Sequence, residues 1–196
     1  SNLGAAHKKE ILDLINELHI GGLTFFQGGP VRQAMLTNEY QEAAKIPLMI
    51  AIDGEWGLSM RLDSTVKYPW QMTLGAIQND SLIYQMGRQV AEQFRRLGVH
   101  VNFAPVVDVN NNPNNPVIFA RSFGEDKYDV AQKGIAYMKG MQAGGLLANA
   151  KHFPGHGHVV ADSHLELPVD PRPLADLEAA DMRPFMALAP KLDGIM

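Results

Sequence analysis

Apolar residues along this chain fall into two alternating rhythms. Over residues 5–18, Ile11, Leu12, Leu14, Ile15 and Leu18 recur at the spacing of a helix with one buried face. Gly21-Gly22 stops that helix, and residues 23–26, Leu-Thr-Phe-Phe, read as a short strand. A turn through Gln27-Gly28-Gly29-Pro30 leads into a helix over residues 31–44, Pro30 suiting a first helical position. Residues 46–53 are almost wholly apolar until Asp53 and read as a second strand, followed by a long loop carrying Trp56 and Trp70. The spacing predicts a helix over 80–97, capped by Asn79 or Asp80 and stopped by Gly98. A third strand over 99–108 ends on Asp108, and an Asn- and Pro-rich polar loop occupies 110–116. A helix over 127–143 stops at Gly144-Gly145, a fourth strand covers 146–152, a helix covers 174–188, and residues 194–196 open a fifth strand.

Strand and helix in strict alternation predict an α/β fold with a parallel sheet built from crossovers. Strands apolar on both faces need helices to cover them. The loops after the strands are long and polar, which gathers Asp53, Asp108 and Lys151-His152 at the strands' C-terminal ends. An α/β barrel builds its site there. Periodicity does not separate a (β/α)8 TIM-type barrel from a doubly wound open sheet. No G-x-G-x-x-G follows the first strand and there is no Walker sequence, so no nucleotide fingerprint supports the open sheet. A complete barrel takes about 250 residues. The expectation is therefore that residues 1–196 are one partial barrel domain, roughly its middle half, whose open sheet edges pair with the missing barrel half.

Composition narrows the function. Apolar residues are 46% and charged residues 19% of the chain, enough for a core and unlike a disordered segment. A net charge of −4 argues against a nucleic-acid partner, which calls for a clustered basic face. No apolar run approaches the roughly 18–20 residues of a membrane span. The absence of cysteine excludes disulfides, thiol nucleophiles and thiolate metal sites, and leaves the compartment open.

The densest chemistry lies in Lys151-His152-Phe153-Pro154-Gly155-His156-Gly157-His158 and the residues up to His164, where four of the seven histidines fall. Two readings compete. His152, His156, His158, Asp162 and His164 are all metal-ligand types, but Pro154, Gly155 and Gly157 forbid the helix that would put His152 and His156 on one face, and H-E-x-x-H is absent. The reading expected here is no metal. The other reading is proton transfer by a dyad. Asp162, two residues before His164, accepts a hydrogen bond from the imidazole, fixes its tautomer and stabilises the imidazolium. Gly155 and Gly157 would let this loop close and open over a substrate.

The lysine-histidine loop followed by Asp162-Ser163-His164 resembles the signature of glycoside hydrolase family 3, and specifically its β-N-acetylglucosaminidase branch. Gly21-Gly22-Leu23 to Phe26, Ile52-Asp53-Gly54-Glu55 with Arg61, Asn102 to Asp108, and Ala120-Arg121-Ser122-Phe123-Gly124 match in order, so the resemblance runs along nearly the whole chain. It implies a TIM-type barrel and cleavage of β-glycosides with retention, through a covalent glycosyl-enzyme, without a cofactor. It also implies an acid/base at His164 oriented by Asp162, and sugar binding by Asp53, Arg61, Arg121, Lys151 and His152. The implied substrate carries terminal β-linked N-acetylglucosamine, as in peptidoglycan-derived conjugates. Asp-Ser-His separates this branch from the family's β-glucosidases.

Two departures stand out. The family's Gly-Gly-Arg after the glutamate reads Trp56-Gly57-Leu58 here, although Arg61 keeps its spacing from Asp53. The family's first strand and its later strands, with the nucleophilic aspartate, find no counterpart. Asp170, Asp176, Asp181 and Asp193 do not match the nucleophile's position. The alternatives are a β-glucosidase or β-xylosidase of the family, a non-catalytic sugar-binding fragment, and a metallohydrolase. Non-catalytic partners of Asp53 and Arg61 would be each other, and of Arg121, Asp108 or Asp126.

Overall fold

The computed structural model of the chain describes residues 4–162 and 165–196. The strands are β1 (Gly22–Phe25), β2 (Met49–Ile52), β3 (Val101–Asn102), β4 (Leu147–Ala150) and β5 (Gly194–Ile195). The helices are α1 (Ala5–Leu18), α2 (Pro30–Ala43), α3 (Gln71–Gly75), α4 (Asp80–Arg96), α5 (Lys127–Ala143), α6 (Leu174–Ala179) and α7 (Arg183–Leu188). The strands pair in parallel and in chain order, β1-β2-β3-β4-β5. That order decides what periodicity left open. A doubly wound sheet reverses direction at a switch point, whereas a barrel adds each strand beside the last. The sheet is the arc of a TIM-type barrel.

Strands are shorter than their apolar runs, for two local reasons. Leu48 has its N–H and C=O both taken by the Gln41 side-chain amide at 2.8 Å, so β2 starts only at Met49. In the run 99–108, Pro105 has no N–H to give the ladder. Pairing resumes after it, with the Val107 N–H donating to the Lys151 carbonyl at 2.9 Å. The helix expected over 174–188 is two helices. Pro184 cannot donate in its first turn, and between α6 and α7 the fully buried Asp181 is held by Arg172 at 2.9 Å and by the Asn111 amide at 3.1 Å. The short helix α3 lies where a continuous loop is expected.

Ile50, Ile52, Ala148 and Ala150 from the strands meet Phe94, Met138 and Met141 from α4 and α5 in one buried core. Helix α4 is capped by Asn79, which accepts from the Ser81 N–H, and α5 by Asp126, which accepts from Tyr128 and Asp129 N–H groups. The two helices approach closely through glycines. A Cβ on Gly87 would stand 2.6 Å from the Tyr137 carbonyl oxygen, and one on Gly140 would run into the Tyr84 carbonyl oxygen. Alanine gains about 1 kcal/mol over glycine inside a helix. Overpacking against backbone costs about 1–3 kcal/mol, and backbone does not move aside as a side-chain tip would. Gly140→Ala is therefore expected to lower the melting temperature by about 4 °C. A thermal melt that rises instead would show that helix propensity outweighs the contact.

Candidate active site

The site is assembled from the turns that leave β2, β3 and β4. At the end of β2, the Asn102 side chain from β3 accepts from the Gly54 N–H and donates to the Gly54 carbonyl, both at 3.0 Å. A Cβ on Gly54 would meet the Phe94 ring at 2.5 Å, so only glycine lets this turn lie so close to the core. The clamp presents Asp53 and Glu55, on either side of Gly54, at the mouth of the sheet. The Gln71 amide donates to the Glu55 carbonyl at 2.8 Å and ties α3 to the same turn.

Cations close in from three loops. A 3-10 turn over Leu58–Met60 brings Arg61 back onto Asp53, with Nη2 at 2.6 Å from Oδ2 and Nε at 2.9 Å from the Asp53 carbonyl. Its guanidinium also lies 5.3 Å over the centre of the Phe26 ring, just past β1. The turn Phe119–Arg121 delivers Arg121, whose fork grips Glu55 with Nη2 at 2.7 Å from Oε1 and Nε at 3.0 Å from Oε2. Lys151, just past β4, puts its ammonium between Asp53 Oδ1 and Glu55 Oε1, 2.9 Å from the latter. His152 completes the chain. Its Nδ1 is 2.7 Å from Asp108 Oδ2 and its Nε2 is 3.2 Å from Arg121 Nη2. A guanidinium only donates, so Nε2 is the acceptor and Nδ1–H donates to Asp108, which fixes a neutral tautomer.

Burial divides the cluster into supports and faces. Glu55, Asp108 and Lys151 are 0%, 0% and 3% exposed at their side chains, whereas Asp53, Arg61, Arg121 and His152 keep 18–29%. Burial pushes the Asp53 carboxyl up, but the Lys151 charge and hydrogen bond, joined by those of Arg61, outweigh it and hold it below its ordinary 3.8. Burial likewise lowers Arg121, and the hydrogen bonds and charge of Glu55, with Asp108 and Asp53 behind, more than reverse that.

The structure brings together all of Asp53, Arg61, Arg121, Lys151 and His152. Asp53 and Arg61 do pair with each other, as their non-catalytic reading had it, and Lys151 joins them. Arg121 does not take Asp108 or Asp126 as its carboxylate partner; it takes Glu55. Asp126 caps α5, and Asp108 accepts from His152 and from the His152 and His156 N–H groups. Glu55 is the residue that motif reading passed over as a site member. Its signal was present, a second acidic residue two places after a strand-end aspartate. Asp162 is described and half-buried, its carbonyl accepting from the Leu165 and Glu166 N–H groups at 2.9 and 3.0 Å, while His164 lies outside the described residues. Gly155 and Gly157 have packing reasons to be glycine. A Cβ on Gly155 would meet Asp181, and one on Gly157 would run into the Val109 carbonyl oxygen. Asp193 stands before β5, at the opposite end of the sheet from the cluster, and accepts from the Ala148 N–H at 2.9 Å.

Replacing Glu55 with Gln removes the carboxylate that both Arg121 and Lys151 contact, and is expected to destabilise the fold by about 3 kcal/mol, read from denaturant unfolding. For Asp53 the sign follows from its lowered value. Its ionised form stabilises the fold fully above its ordinary 3.8, and that contribution is lost as pH falls through the lower folded value. The stability gap between wild type and Asp53→Asn should thus be flat from neutral pH to about pH 4 and shrink below it. A gap that closes already between pH 7 and 5 would contradict the ion pairing described.

Known proteins resemble this chain in sequence and fold. The model of the glycosyl hydrolase family 3 N-terminal domain matches residues 2–196. Beta-hexosaminidase A of Pseudoalteromonas piscicida is 38% identical over 189 residues, 90% of this chain and 32% of that protein. A glycoside hydrolase family 3 β-N-acetylglucosaminidase structure from Paenibacillus sp. strain FPU-7 superposes with a TM-score of 0.89 at 38% identity, over 95% of this chain and 37% of the other. The structure of NagZ from Neisseria gonorrhoeae in complex with N-trifluoroacetyl-D-glucosamine does so with a TM-score of 0.85 at 33% identity, over 99% and 59%. The chain thus spans between 32% and 59% of the length of these relatives. A family match running from residue 2 to residue 196 means that the chain belongs to the glycosyl hydrolase family 3 N-terminal domain family.

Proposed function

We propose that this chain is the part of a retaining glycosidase that binds a terminal β-linked N-acetylglucosamine and supplies its acid/base, with the nucleophilic aspartate outside these residues. The observation that carries the reading is the charge-balanced cluster at the ends of β2, β3 and β4, with Asp53, Arg61, Arg121 and His152 partly open to a ligand. It is supported by the names of the relatives, a beta-hexosaminidase and a β-N-acetylglucosaminidase, and by the N-acylated glucosamine in the NagZ structure. Peptidoglycan-derived conjugates are the substrate class proposed.

In this reading the ionised Asp53 accepts from two sugar hydroxyls, while Arg61 and Arg121 donate to hydroxyl or amide oxygens and the buried Lys151 holds Asp53 and Glu55 in place. His152, neutral and held by Asp108, adds a fixed contact. His164, oriented by Asp162, protonates the glycosidic oxygen as the aspartate attacks the anomeric carbon and the leaving alcohol departs. The imidazole, now neutral, then takes a proton from the water that displaces the aspartate, which restores both groups.

The test uses the complete enzyme and two N-acetylglucosaminides, one with an alkyl leaving group and one with an activated aryl group. His164→Ala is expected to cut kcat about 100-fold or more on the alkyl glycoside, which needs protonation, and far less on the aryl one. Equal losses on both would remove the acid/base assignment. Faster cleavage of the matching β-glucoside than of the N-acetylglucosaminide would remove the substrate assignment.

A further inference from the structure

Asp181 is a fully buried carboxylate that the charged cluster does not use. It is held from two separate segments of the chain. Arg172 Nη2 lies 2.9 Å from its Oδ2, and the Asn111 amide donates to its Oδ1 at 3.1 Å. Arg172 also forks onto Asp170, with Nη2 2.5 Å from Oδ2 and Nε 2.9 Å from Oδ1. Hydrogen bonding to the Arg172 side chain, working against burial, holds the Asp170 carboxyl below its ordinary 3.8. Residues 170–172, where the loop after β4 ends, are therefore clamped.

The start of that loop is clamped too, and from the same place. The buried Asn115 donates to the His156 and Val159 carbonyls at 2.6 and 2.7 Å, and the Asn112 amide donates to the His158 carbonyl at 2.5 Å. Asn115 is itself fixed, its Oδ1 accepting from the Val117 and Ile118 N–H groups at 2.9 and 2.7 Å. Asp181 backs this end as well, since a Cβ on Gly155 would stand 2.6 Å from the Asp181 Cβ. The Asn-rich loop after β3 thus holds both ends of the loop after β4, directly at 156–159 and through Asn111, Asp181 and Arg172 at 170–172. Asp162 and His164 lie in sequence between the two clamps.

Stability alone does not call for this device. A buried ion pair is often no more stabilising than an apolar contact of the same volume, but its fork accepts one geometry where a non-directional contact accepts many. His164 is five residues past Val159 and six before Asp170. Tethered at one end only, a chain of that length carries its tip over roughly 20 Å. Proton transfer needs heavy atoms about 3 Å apart. A second clamp removes most of that freedom.

We propose that Arg172, seated on the buried Asp181, is a positioning residue for the acid/base, acting by fixing the far end of the loop that carries it. The proposal rests on the glycosidase reading above, in which His164 is that acid/base. Its test is the ratio of kcat/KM for methyl β-N-acetylglucosaminide, which needs protonation of its leaving group, to that for an activated aryl β-N-acetylglucosaminide, which needs little. Both are measured on the complete enzyme. Arg172→Ala should lower this ratio about tenfold, and Asp181→Asn, which removes the charge beneath Arg172, should lower it in the same direction. Poor folding of either variant lowers both rates alike and leaves the ratio readable. In a His164→Ala background, Arg172→Ala should change the ratio no further. An unchanged ratio in Arg172→Ala, where His164→Ala lowers it, overturns the positioning role alone. A loss in Arg172→Ala that Asp181→Asn does not share overturns the buried pair as the anchor. A further loss in the double variant overturns the proposal too, because Arg172 would then act on something other than the acid/base. A ratio that His164→Ala itself leaves unchanged removes the acid/base reading, and the positioning role with it.

Discussion

A single buried carboxylate organises the mouth of this sheet. Glu55 has no exposed side-chain surface, yet its two oxygens meet Arg121 from the loop after β3 and Lys151 from the end of β4. A buried charge without partners is prohibitively costly, so these loops must converge if Glu55 is to stay ionised there. The converse also holds, because Lys151 at 3% exposure needs Asp53 and Glu55 together. Three consecutive strand ends are thus bound by one set of ion pairs, and the remaining side chains take their places from it. His152 is aligned between Arg121 and Asp108, and Arg61 between Asp53 and the Phe26 ring.

Backbone contacts keep that convergence rigid. Asn102 occupies both polar groups of Gly54, so the turn carrying Asp53 and Glu55 hangs from the neighbouring strand. Asn115 donates to the His156 and Val159 carbonyls, and Asp108 receives the His152 and His156 N–H groups, which fixes the start of the loop after β4. Asp181, buried in the gap between α6 and α7, holds Asn111 and Arg172. The break in that helix is therefore where the outer layer reaches in to the loops, which is a sufficient reason for the chain to give up a continuous helix.

How much of this could be read from residues alone depends on the length scale of each cause. Helices α4 and α5 were legible because their caps and glycine stops are local, and α1 because its apolar periodicity is, although α1 ends on His19 in the left-handed region and not at Gly21-Gly22. Strand order was not, since nothing in an apolar run says which strand it lies beside. The truncation of β2 by Gln41 and the split at Asp181 come from side chains of other elements, and no window along the chain holds both partners. The five sugar-binding candidates converge because each follows a strand or closes a turn at its C-terminal end, where the fold brings residues together. Glu55 was missed as a site residue because its importance lies in which cations reach it across the sheet.

The charge arithmetic of the cluster bears on what it can hold. Asp53, Glu55 and Asp108 face Arg61, Arg121 and Lys151, and His152 is neutral, so three negative charges meet three positive ones. Phosphate or carboxylate recognition leaves cations with unmet charge, and here each cation already has its carboxylate. What remains on the open side is spare lone pairs on Asp53 and unused N–H groups on the guanidiniums, arranged as acceptors and donors with no net field. An uncharged ligand rich in hydroxyls can exchange its bonds with water for these at little electrostatic cost. The same ion pairs that bind the strand ends together therefore also leave no unmatched charge at the cluster itself, so fold stability and the electrostatic character of that cluster are set by one network rather than by two.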